Sequence, residues 1–214
     1  MIEYFQLFIS ELIDQQRLGI MTAFYIIAAY FVGSISPSIM LGKISGVDIR
    51  DKGSGNAGTT NALRVLGKKA AIITLFVDVL KGFAVVFLAK MYISTAFAII
   101  CGIAVICGHI WPMVYGFRGG KGVATGLGVL LAFDFKIGGL VLLIALVLML
   151  ITLRVSVGAL AAAAAFPVIV QIITPVYLAP AFLIAVIIWI KHRKNIGRLV
   201  KGTEPKINFK LRDS

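Results

Sequence analysis

The chain has 214 residues, of which 60% are hydrophobic and 14% are charged, and its mean hydropathy is +1.00. Soluble domains carry roughly a quarter charged residues, so this composition excludes a soluble globular domain and a disordered chain and indicates an integral membrane protein. The formal net charge of +12 is concentrated in a few segments, which is typical of loops that orient a membrane chain, so we expect no nucleic-acid partner.

Apolar segments define the predicted elements. Seven of them are candidates for helices in the bilayer, and they cover residues 18–42, 69–91, 95–115, 122–134, 137–153, 155–173 and 176–191. A helical crossing needs about 20 apolar residues, so the fourth and seventh segments are short for a full crossing. The pattern predicts an all-α integral membrane protein, a single domain over residues 1–214 folded as a seven-span helical bundle with some short or broken helices. Five crossings are the alternative, if two short segments are both re-entrant.

The charges predict the orientation of these crossings. Basic residues cluster in 43–68, 116–121 and the tail from 191 onward, and seven crossings place all three clusters on one side. Basic clusters mark the cytoplasmic side, so we expect the N-terminus outside and the C-terminus in the cytoplasm. The first residues include Glu3 and Glu11 and no basic stretch, so we expect no secretory signal peptide.

A glycine-rich turn, Gly53-Ser54-Gly55-Asn56-Ala57-Gly58, follows the first apolar segment. Glycines let backbone N–H groups approach a ligand closely, and a helix that starts near Thr59 would present its first N–H groups to an anion. Arg64 would lie a turn and a half into that helix, within reach of a phosphate. The turn matches G-x-G-x-x-G, but no buried strand precedes it, so we exclude a dinucleotide site. The predicted phosphate-binding residues are Gly53, Gly55, Asn56, Gly58, Thr60 and Asn61.

Ionisable residues also lie within the apolar segments. Asp78 and Lys81 are at positions i and i+3 of the second segment. Charges in hydrocarbon are costly and are normally paired in the bundle interior, so we predict an ion pair that supports the structure. We interpret His109 as a hydrogen-bonding residue at a helix end, and Cys101 and Cys107 as small buried hydrophobic residues.

The second glycine-rich turn is Gly119-Gly120-Lys121-Gly122. It is not a nucleotide-binding P-loop, because the spacing is one residue short and Gly122 replaces the Ser or Thr that would hold magnesium. The sequence also lacks an acidic cluster, so we expect no metal and no other cofactor. Two such turns on one side favour oxyanion binding over turns that only reverse the chain. We therefore add Gly119, Gly120, Lys121 and Gly122 to the phosphate site.

Residues 192–204, after the last apolar segment, combine basic residues with a partial apolar face and predict a short interfacial helix. His192 and Asn195, at i and i+3, would share one side of it. The alternative, favoured by the spacing alone, is a basic tail bound to anionic lipid. Arg154 and Ser156, in the predicted turn between the fifth and sixth segments, are further candidates for the pocket wall.

Several motifs occur together, in a fixed order along the chain. They are Gly53-Ser54-Gly55-Asn56-x-Gly58-x-Thr60-Asn61 followed by Arg64, Gly108-His109-x-x-Pro112 with Gly119-Gly120-Lys121-Gly122-Val123-Ala124-Thr125, and His192-x-x-Asn195-Ile196-x-Arg198-Leu199 with Gly202-x-Glu204. Together with Asp78-x-x-Lys81-Gly82, they resemble the bacterial acyl-phosphate-dependent glycerol-3-phosphate acyltransferases (the PlsY family). The resemblance covers nearly the whole chain, with departures at Ser36-Pro37-Ser38 and Thr59.

This resemblance implies a seven-span enzyme of the bacterial cytoplasmic membrane with its active site on the cytoplasmic face. The enzyme would transfer a fatty acyl group from acyl phosphate to the sn-1 hydroxyl of glycerol 3-phosphate, giving lysophosphatidic acid and phosphate in the first acylation step of phospholipid synthesis. The implied partners are these two substrates and membrane lipids, with no metal and no obligate protein partner.

The implied polar site consists of Ser54, Arg64, Lys121, His192 and Asn195. Ser54, Arg64 and Lys121 would bind phosphate and stabilise the charge of the leaving group, and the glycines of the second turn would shape the glycerol-phosphate pocket. His192 and Asn195 would orient the acceptor. Glu204 is assigned to structure, as the residue that tethers the tail helix to a cation.

The general base is the open question. His109 and His192 both lack an acid at the His-x-x-x-x-Asp spacing of soluble-type acyltransferases, so the base is either His192 alone or a substrate phosphate oxygen, and we predict the phosphate. A phosphate or organophosphate transporter is the alternative function, but it predicts sites near the midplane with access from both faces. A CDP-alcohol phosphotransferase would need several metal-binding aspartates in one helix, which this sequence lacks.

Overall fold

The computed structural model of the protein describes Glu3, Gln6 and residues 20–207. Within these residues the secondary structure is helical, with no strand, so the all-α prediction is confirmed. The helices are α1 (Ile20–Ser34), α2 (Pro37–Ile44), α3 (Thr59–Tyr92), α4 (Thr95–Ile110), α5 (Val123–Phe133), α6 (Phe135–Thr152), α7 (Val155–Ile173), α8 (Leu178–Lys191) and α9 (Arg193–Val200). Single 3-10 turns cover Met113–Tyr115 and Pro175–Tyr177. Glu11, from the expectation on the N-terminus, lies outside the described residues.

Each predicted apolar segment coincides with helix. Four helical segments of the described chain are long and apolar enough to cross a membrane. The number rises to six if each of the two bent helix pairs counts as one span. The 11-residue α5 is apolar but short. These helices identify a multi-pass membrane protein. The number of crossings and their orientation stay predictions.

Two of the apolar segments are not single straight helices in the structure. The first apolar segment is bent by 42° between α1 and α2, and Pro37, which has no N–H to donate, begins α2. The helix that contains the second apolar segment, 69–91, begins at Thr59, as the first glycine turn predicts, and its first turns are polar. Gly67, at φ 85° and ψ −177°, interrupts this helix and separates its polar arm from its apolar part. Only glycine adopts that backbone conformation without strain.

Close helix contacts organise the bundle around α4. In the most apolar window of α4, 61% of the residues are buried within the protein, against 17% for α6, so α4 is central and α6 peripheral. Gly108 of α4 packs so closely on α1 that a Cβ there would overlap the Tyr30 backbone, and Gly128 of α5 approaches Val79 of α3 in the same way. Small residues at such contacts let membrane helices come together.

The connections 45–58, 111–122, 153–154 and 191–207 meet at one end of the bundle, which we call the site end. Hydrogen bonds join them: the Ile207 N–H donates to the Leu153 carbonyl at 2.7 Å, and Arg50 Nη1 donates to the Tyr115 carbonyl at 2.8 Å. At the opposite end, Lys90 Nζ donates to the Phe133 carbonyl at 2.8 Å, and the Phe133 ring packs edge-on against Tyr177. The polar groups of the predicted site are therefore gathered at a single end of an apolar bundle.

Candidate active site

The first glycine turn is held by one buried amide. Gly53 and Gly55 adopt positive φ values of 60° and 70°, and the Ser54 N–H donates to Asn61 Oδ1 at 2.8 Å. Asn61 Nδ2 donates to the carbonyls of Ile49 at 2.8 Å and Lys52 at 3.0 Å. Both amide protons of Asn61 are thus used inside the protein, and its side chain is 1% exposed. This geometry corrects the predicted role of Asn61, which shapes the turn instead of donating to phosphate.

The predicted helix start at Thr59 is confirmed. Gly58 is the N-cap in an extended conformation and has no side chain to cap the helix. The N–H groups of the first helical turn, from Thr59 and Thr60, therefore keep the anion-binding capacity of a helix N-terminus. The Ser54 hydroxyl and the Arg64 guanidinium, both half-buried, make no hydrogen bond or ion pair within the described part of the chain. Both groups can therefore bind a ligand without breaking a protein contact.

The second glycine turn returns onto the end of α4. The Gly119 N–H donates to the Ile110 carbonyl at 3.3 Å, and the Gly120 N–H donates to the His109 carbonyl at 3.0 Å. Gly122, with φ at 84°, is the N-cap of α5. A Cβ on Gly120 would collide with His109 Nε2 and with the Ala57 carbonyl of the first turn. The structure thus brings the two glycine turns into contact, and Lys121 follows directly.

Lys121 belongs to a chain of short hydrogen bonds. Its Nζ donates to Asn195 Oδ1 at 2.5 Å, and Asn195 Nδ2 donates to Glu204 Oε1 at 2.6 Å. The same carboxylate accepts from Ser156 Oγ at 2.7 Å and, through Oε2, from Arg198 Nε at 2.6 Å. The contact expected between Glu204 and a cation of the tail helix is therefore present. Because a carboxylate can only accept, Glu204 fixes the Asn195 amide with its oxygen toward Lys121.

His192 lies at the 59° bend between α8 and α9 and is buried on the same side as Asn195, in agreement with their i, i+3 spacing. Its Nδ1 lies 2.8 Å from the Ile188 carbonyl, which can only accept, so Nδ1 carries the proton and Nε2 keeps its lone pair. Burial, reinforced by the charge of Lys121, lowers the pKa of His192 to about 4. His192 is therefore a neutral side chain at pH 7.

Lys121 and Glu204 are also shifted from their ordinary pKa values. Burial lowers the pKa of Lys121 to about 8; the charge of Glu204 opposes this shift, and those of Arg198 and Arg64 add to it. Burial alone would raise the pKa of Glu204, but hydrogen bonds from Ser156, Asn195 and Arg198 hold it below its usual value. The site therefore has excess positive charge from Lys121 and Arg64, which is suited to a phosphate.

The predicted Asp78–Lys81 ion pair is present, with Lys81 Nζ 2.7 Å from Asp78 Oδ1. His109 joins it, since its Nδ1 lies 3.0 Å from Lys81 Nζ. The sequence predicts the Asp78–Lys81 pair and a hydrogen-bonding role for His109, but it does not predict that the three side chains form one cluster. Ser156, which was only a candidate for the pocket wall, supports Glu204 from α7.

Known proteins are similar to this chain in sequence and in fold. The family described as Glycerol-3-phosphate acyltransferase matches residues 23–202. A protein of that name from Colwellia psychrerythraea (strain 34H / ATCC BAA-681) is 39% identical over 194 residues, which are 90% of this chain and 99% of the relative. Another, from Geobacter sulfurreducens (strain ATCC 51573 / DSM 12127 / PCA), is 44% identical over 181 residues, which are 82% of this chain and 92% of the relative.

Two crystal structures have the same fold. Both are of PlsY (YgiH), an integral membrane glycerol 3-phosphate acyltransferase, and each covers 88% of this chain and 96% of its own. The glycerol 3-phosphate form superposes with a TM-score of 0.84 at 35% identity, and the lysophosphatidic acid form with 0.81 at 34%. With this fold, and with 39% and 44% identity to relatives of the same name over most of its length, the chain belongs to the glycerol-3-phosphate acyltransferase family.

Proposed function

We propose that the protein transfers a fatty acyl group from acyl phosphate to the sn-1 hydroxyl of glycerol 3-phosphate and releases lysophosphatidic acid and phosphate. The observation that carries this proposal is the half-buried Lys121 ammonium at the junction of two glycine turns, at one end of an apolar bundle. Both substrates carry a phosphate, and one carries a hydrocarbon chain. A transporter would place its binding site near the midplane, with access from both faces. The polar groups that we assign to the site lie at one end of the bundle instead, which disfavours a transporter.

Phosphate recognition is assigned to four groups. They are the Lys121 ammonium, the Arg64 guanidinium, the Ser54 hydroxyl and the first N–H groups of α3. In acyl transfer the glycerol hydroxyl oxygen attacks the acyl carbonyl carbon, and the bond from that carbon to the phosphate oxygen breaks. Negative charge moves onto the departing phosphate, where the two cations stabilise it without metal. His192 and Asn195 orient the acceptor, and the glycines of the second turn let its phosphate approach the backbone.

The proton of the attacking hydroxyl goes to a phosphate oxygen in this mechanism. His192 offers a lone pair at Nε2, but a pKa of about 4 makes it a weak base. A phosphate monoester has a second pKa of about 6, so the substrate is the stronger base of the two. We therefore assign His192 a positioning role, with its neutral ring held by the Ile188 carbonyl.

Replacing His192 tests that assignment. We expect His192→Gln to lower kcat by roughly 3- to 10-fold, because losing a general base costs about 100-fold or more and losing an orienting contact costs less. The measurement is steady-state kinetics with glycerol 3-phosphate varied. A fall of 100-fold or more with unchanged glycerol 3-phosphate binding would show that the histidine is the base.

The pH dependence of kcat/KM should follow the protonation of Lys121. An ammonium binds phosphate only when protonated, and the pKa of Lys121 is lowered to about 8, so its charge is lost as the pH rises through that value. We expect kcat/KM for glycerol 3-phosphate to fall on the alkaline side with an apparent pKa near 8. In Lys121→Arg this alkaline limb should disappear, since guanidinium stays charged. A wild-type profile that is flat through this range would contradict the assignment.

We further propose a single domain over residues 1–214 with seven crossings, the N-terminus outside, and the site end facing the cytoplasm in a bacterial cytoplasmic membrane. The clustering of basic residues at the site end supports this orientation. A membrane-impermeant maleimide applied to intact cells tests it, after Cys101 and Cys107 are replaced by alanine. Lys136→Cys should be labelled and Lys194→Cys should not, whereas the reverse pattern would invert the topology.

The activity itself is tested on purified protein in detergent with chelator present. Palmitoyl phosphate and glycerol 3-phosphate should give lysophosphatidic acid and equimolar phosphate, whereas palmitoyl-CoA should give neither. Product from palmitoyl-CoA would keep the acceptor site and overturn the donor. If neither donor gives product, the transporter alternative is tested by uptake of labelled phosphate into vesicles.

A further inference from the structure

Three ionisable side chains lie inside the bundle beneath the second glycine turn, and acyl transfer as derived above does not use them. Asp78, Lys81 and His109 are 1%, 5% and 5% exposed. Lys81 Nζ lies 2.7 Å from Asp78 Oδ1 and 3.0 Å from His109 Nδ1, and His109 Nδ1 lies 3.3 Å from the same carboxylate oxygen. Ionisable groups inside a membrane bundle are costly, so their presence points to a function.

The ion pair does not join two helices by itself, because Asp78 and Lys81 both belong to α3. Lys81 reaches beyond α3 through its other two protons. It donates to His109 of α4 and, at 2.6 Å, to the Ile35 carbonyl at the break between α1 and α2. Together with the ion pair to Asp78, these two hydrogen bonds give Lys81 contacts on α3, on α4 and at the break between α1 and α2. The pair thus holds His109 in a fixed place.

The position of the proton on His109 follows from the same contacts. A Lys ammonium can only donate, so Nδ1 of His109 accepts and Nε2 carries the hydrogen. Nε2 occupies the space that a Cβ on Gly120 would need, beside the Ala57 carbonyl of the first turn. The backbone carbonyl of His109 also accepts the Gly120 N–H at 3.0 Å. His109 therefore supports Gly120 with both its ring and its backbone, one residue before Lys121.

We propose that Asp78, Lys81 and His109 are positioning residues for the second glycine turn. The ion pair fixes the imidazole ring, the ring fixes Gly120 against the first turn, and Lys121 is thereby held where it meets Asn195. This inference rests on the proposed function in one respect, because it takes Lys121 as a phosphate ligand. The competing explanation is that the cluster only holds α1, α3 and α4 together.

Two variants separate these explanations. Asp78→Leu with Lys81→Met removes both charges at once, and replacing a buried ion pair by hydrophobic residues of similar volume is often tolerated by the fold. His109→Asn keeps an acceptor near the Nδ1 position for Lys81 but removes the ring from beneath Gly120. Thr74→Val is the matched control, since Thr74 is a fully buried polar residue of α3 that donates to the Ala70 carbonyl of its own helix.

Two readouts are measured on the full chain in lipid nanodiscs. Steady-state kinetics should show kcat/KM reduced by about 100-fold in both variants, as expected when a catalytic cation is misplaced, with thermal midpoints close to wild type. Hydrogen exchange without substrate should be faster in peptides covering 116–122 and unchanged in peptides covering α6 and α7. Thr74→Val should match wild type in both measurements.

A folded variant with wild-type kinetics and wild-type exchange at 116–122 would overturn the proposal and leave the cluster as a helix-packing device. If the double variant does not fold, His109→Asn decides alone, because Lys81 keeps its acceptor there. Hydrogen exchange requires no substrate. A wild-type protein that fails to form lysophosphatidic acid would therefore refute the proposed function, while the exchange result would still decide whether the cluster positions the turn.

Discussion

Lys121→Met should lower kcat/KM for acyl transfer by about 1,000-fold, the upper end of what removal of one charge-stabilising donor costs an enzyme. The ammonium is half-buried at the meeting point of the two glycine turns, where water screens its charge less than at an open surface. Methionine retains most of the apolar stem and loses the charge. Arg64 would then be the remaining cation assigned to both phosphates.

The control variants distinguish charge from geometry. Lys194→Met removes an exposed cation from α9 at the same end of the bundle and should change kcat/KM less than twofold, since an exposed charge is screened. Lys121→Arg keeps the charge but replaces a compact ammonium with a planar fork, so we expect an intermediate loss of about 10- to 100-fold. A Lys121→Met enzyme within tenfold of wild type would remove Lys121 from the phosphate site.

Hydropathy located the membrane helices because a bilayer requires long apolar segments, and the structure has helix at each predicted segment. The same signal could not find the first turns of α3, since residues 59–68 are too polar for an apolar window. The start at Thr59 was predicted instead from the glycine turn before it. The bend at Pro37 lay within an unbroken apolar run and was missed for that reason.

The contacts of the site were predictable where they are local. The Asp78–Lys81 pair follows from an i, i+3 spacing, and so does the shared burial of His192 and Asn195. Contacts that depend on packing of distant segments were not predictable, such as Lys81 with His109, 28 residues apart. Asn61 shows a different limit. It is near the turn in sequence, but an Asn at a helix start is equally compatible with binding an anion and with holding the turn.

Glu204→Ala should destabilise the fold and also impair catalysis, although Glu204 is not assigned to contact substrate. The substitution leaves Ser156 Oγ, Asn195 Nδ2 and Arg198 Nε without their acceptor. Removing one partner of a buried ion pair costs about 3–5 kcal/mol, and we expect about 3 kcal/mol here because Arg198 is partly exposed. The thermal midpoint should fall by roughly 6–12 °C.

The catalytic effect of that variant follows from the amide of Asn195. Without the carboxylate, the amide is free to rotate and present Nδ2 to Lys121, which repels the ammonium. We therefore expect kcat/KM to fall by about 10- to 100-fold even at temperatures where the variant is folded. Wild-type kinetics in folded Glu204→Ala would limit the residue to tethering the tail.

Glu204→Gln separates the two roles by pH, because it keeps an acceptor for Ser156 and Asn195 but carries no charge. The pKa of Glu204 is held below its ordinary value near 4.5, so its contribution to stability is present above that value and is lost as the pH falls through the lower, folded-state pKa. Thermal midpoints of the wild type should therefore decrease on acidification below pH 4.5, and those of Glu204→Gln should change less.

Because glutamine still orients the Asn195 amide, the kcat/KM of Glu204→Gln at neutral pH should stay within about threefold of wild type, despite a loss of about 1–2 kcal/mol in stability. Equal acid sensitivity in both proteins would mean that other carboxylates control the acid limit of stability and that the contact of Glu204 with Arg198 contributes little.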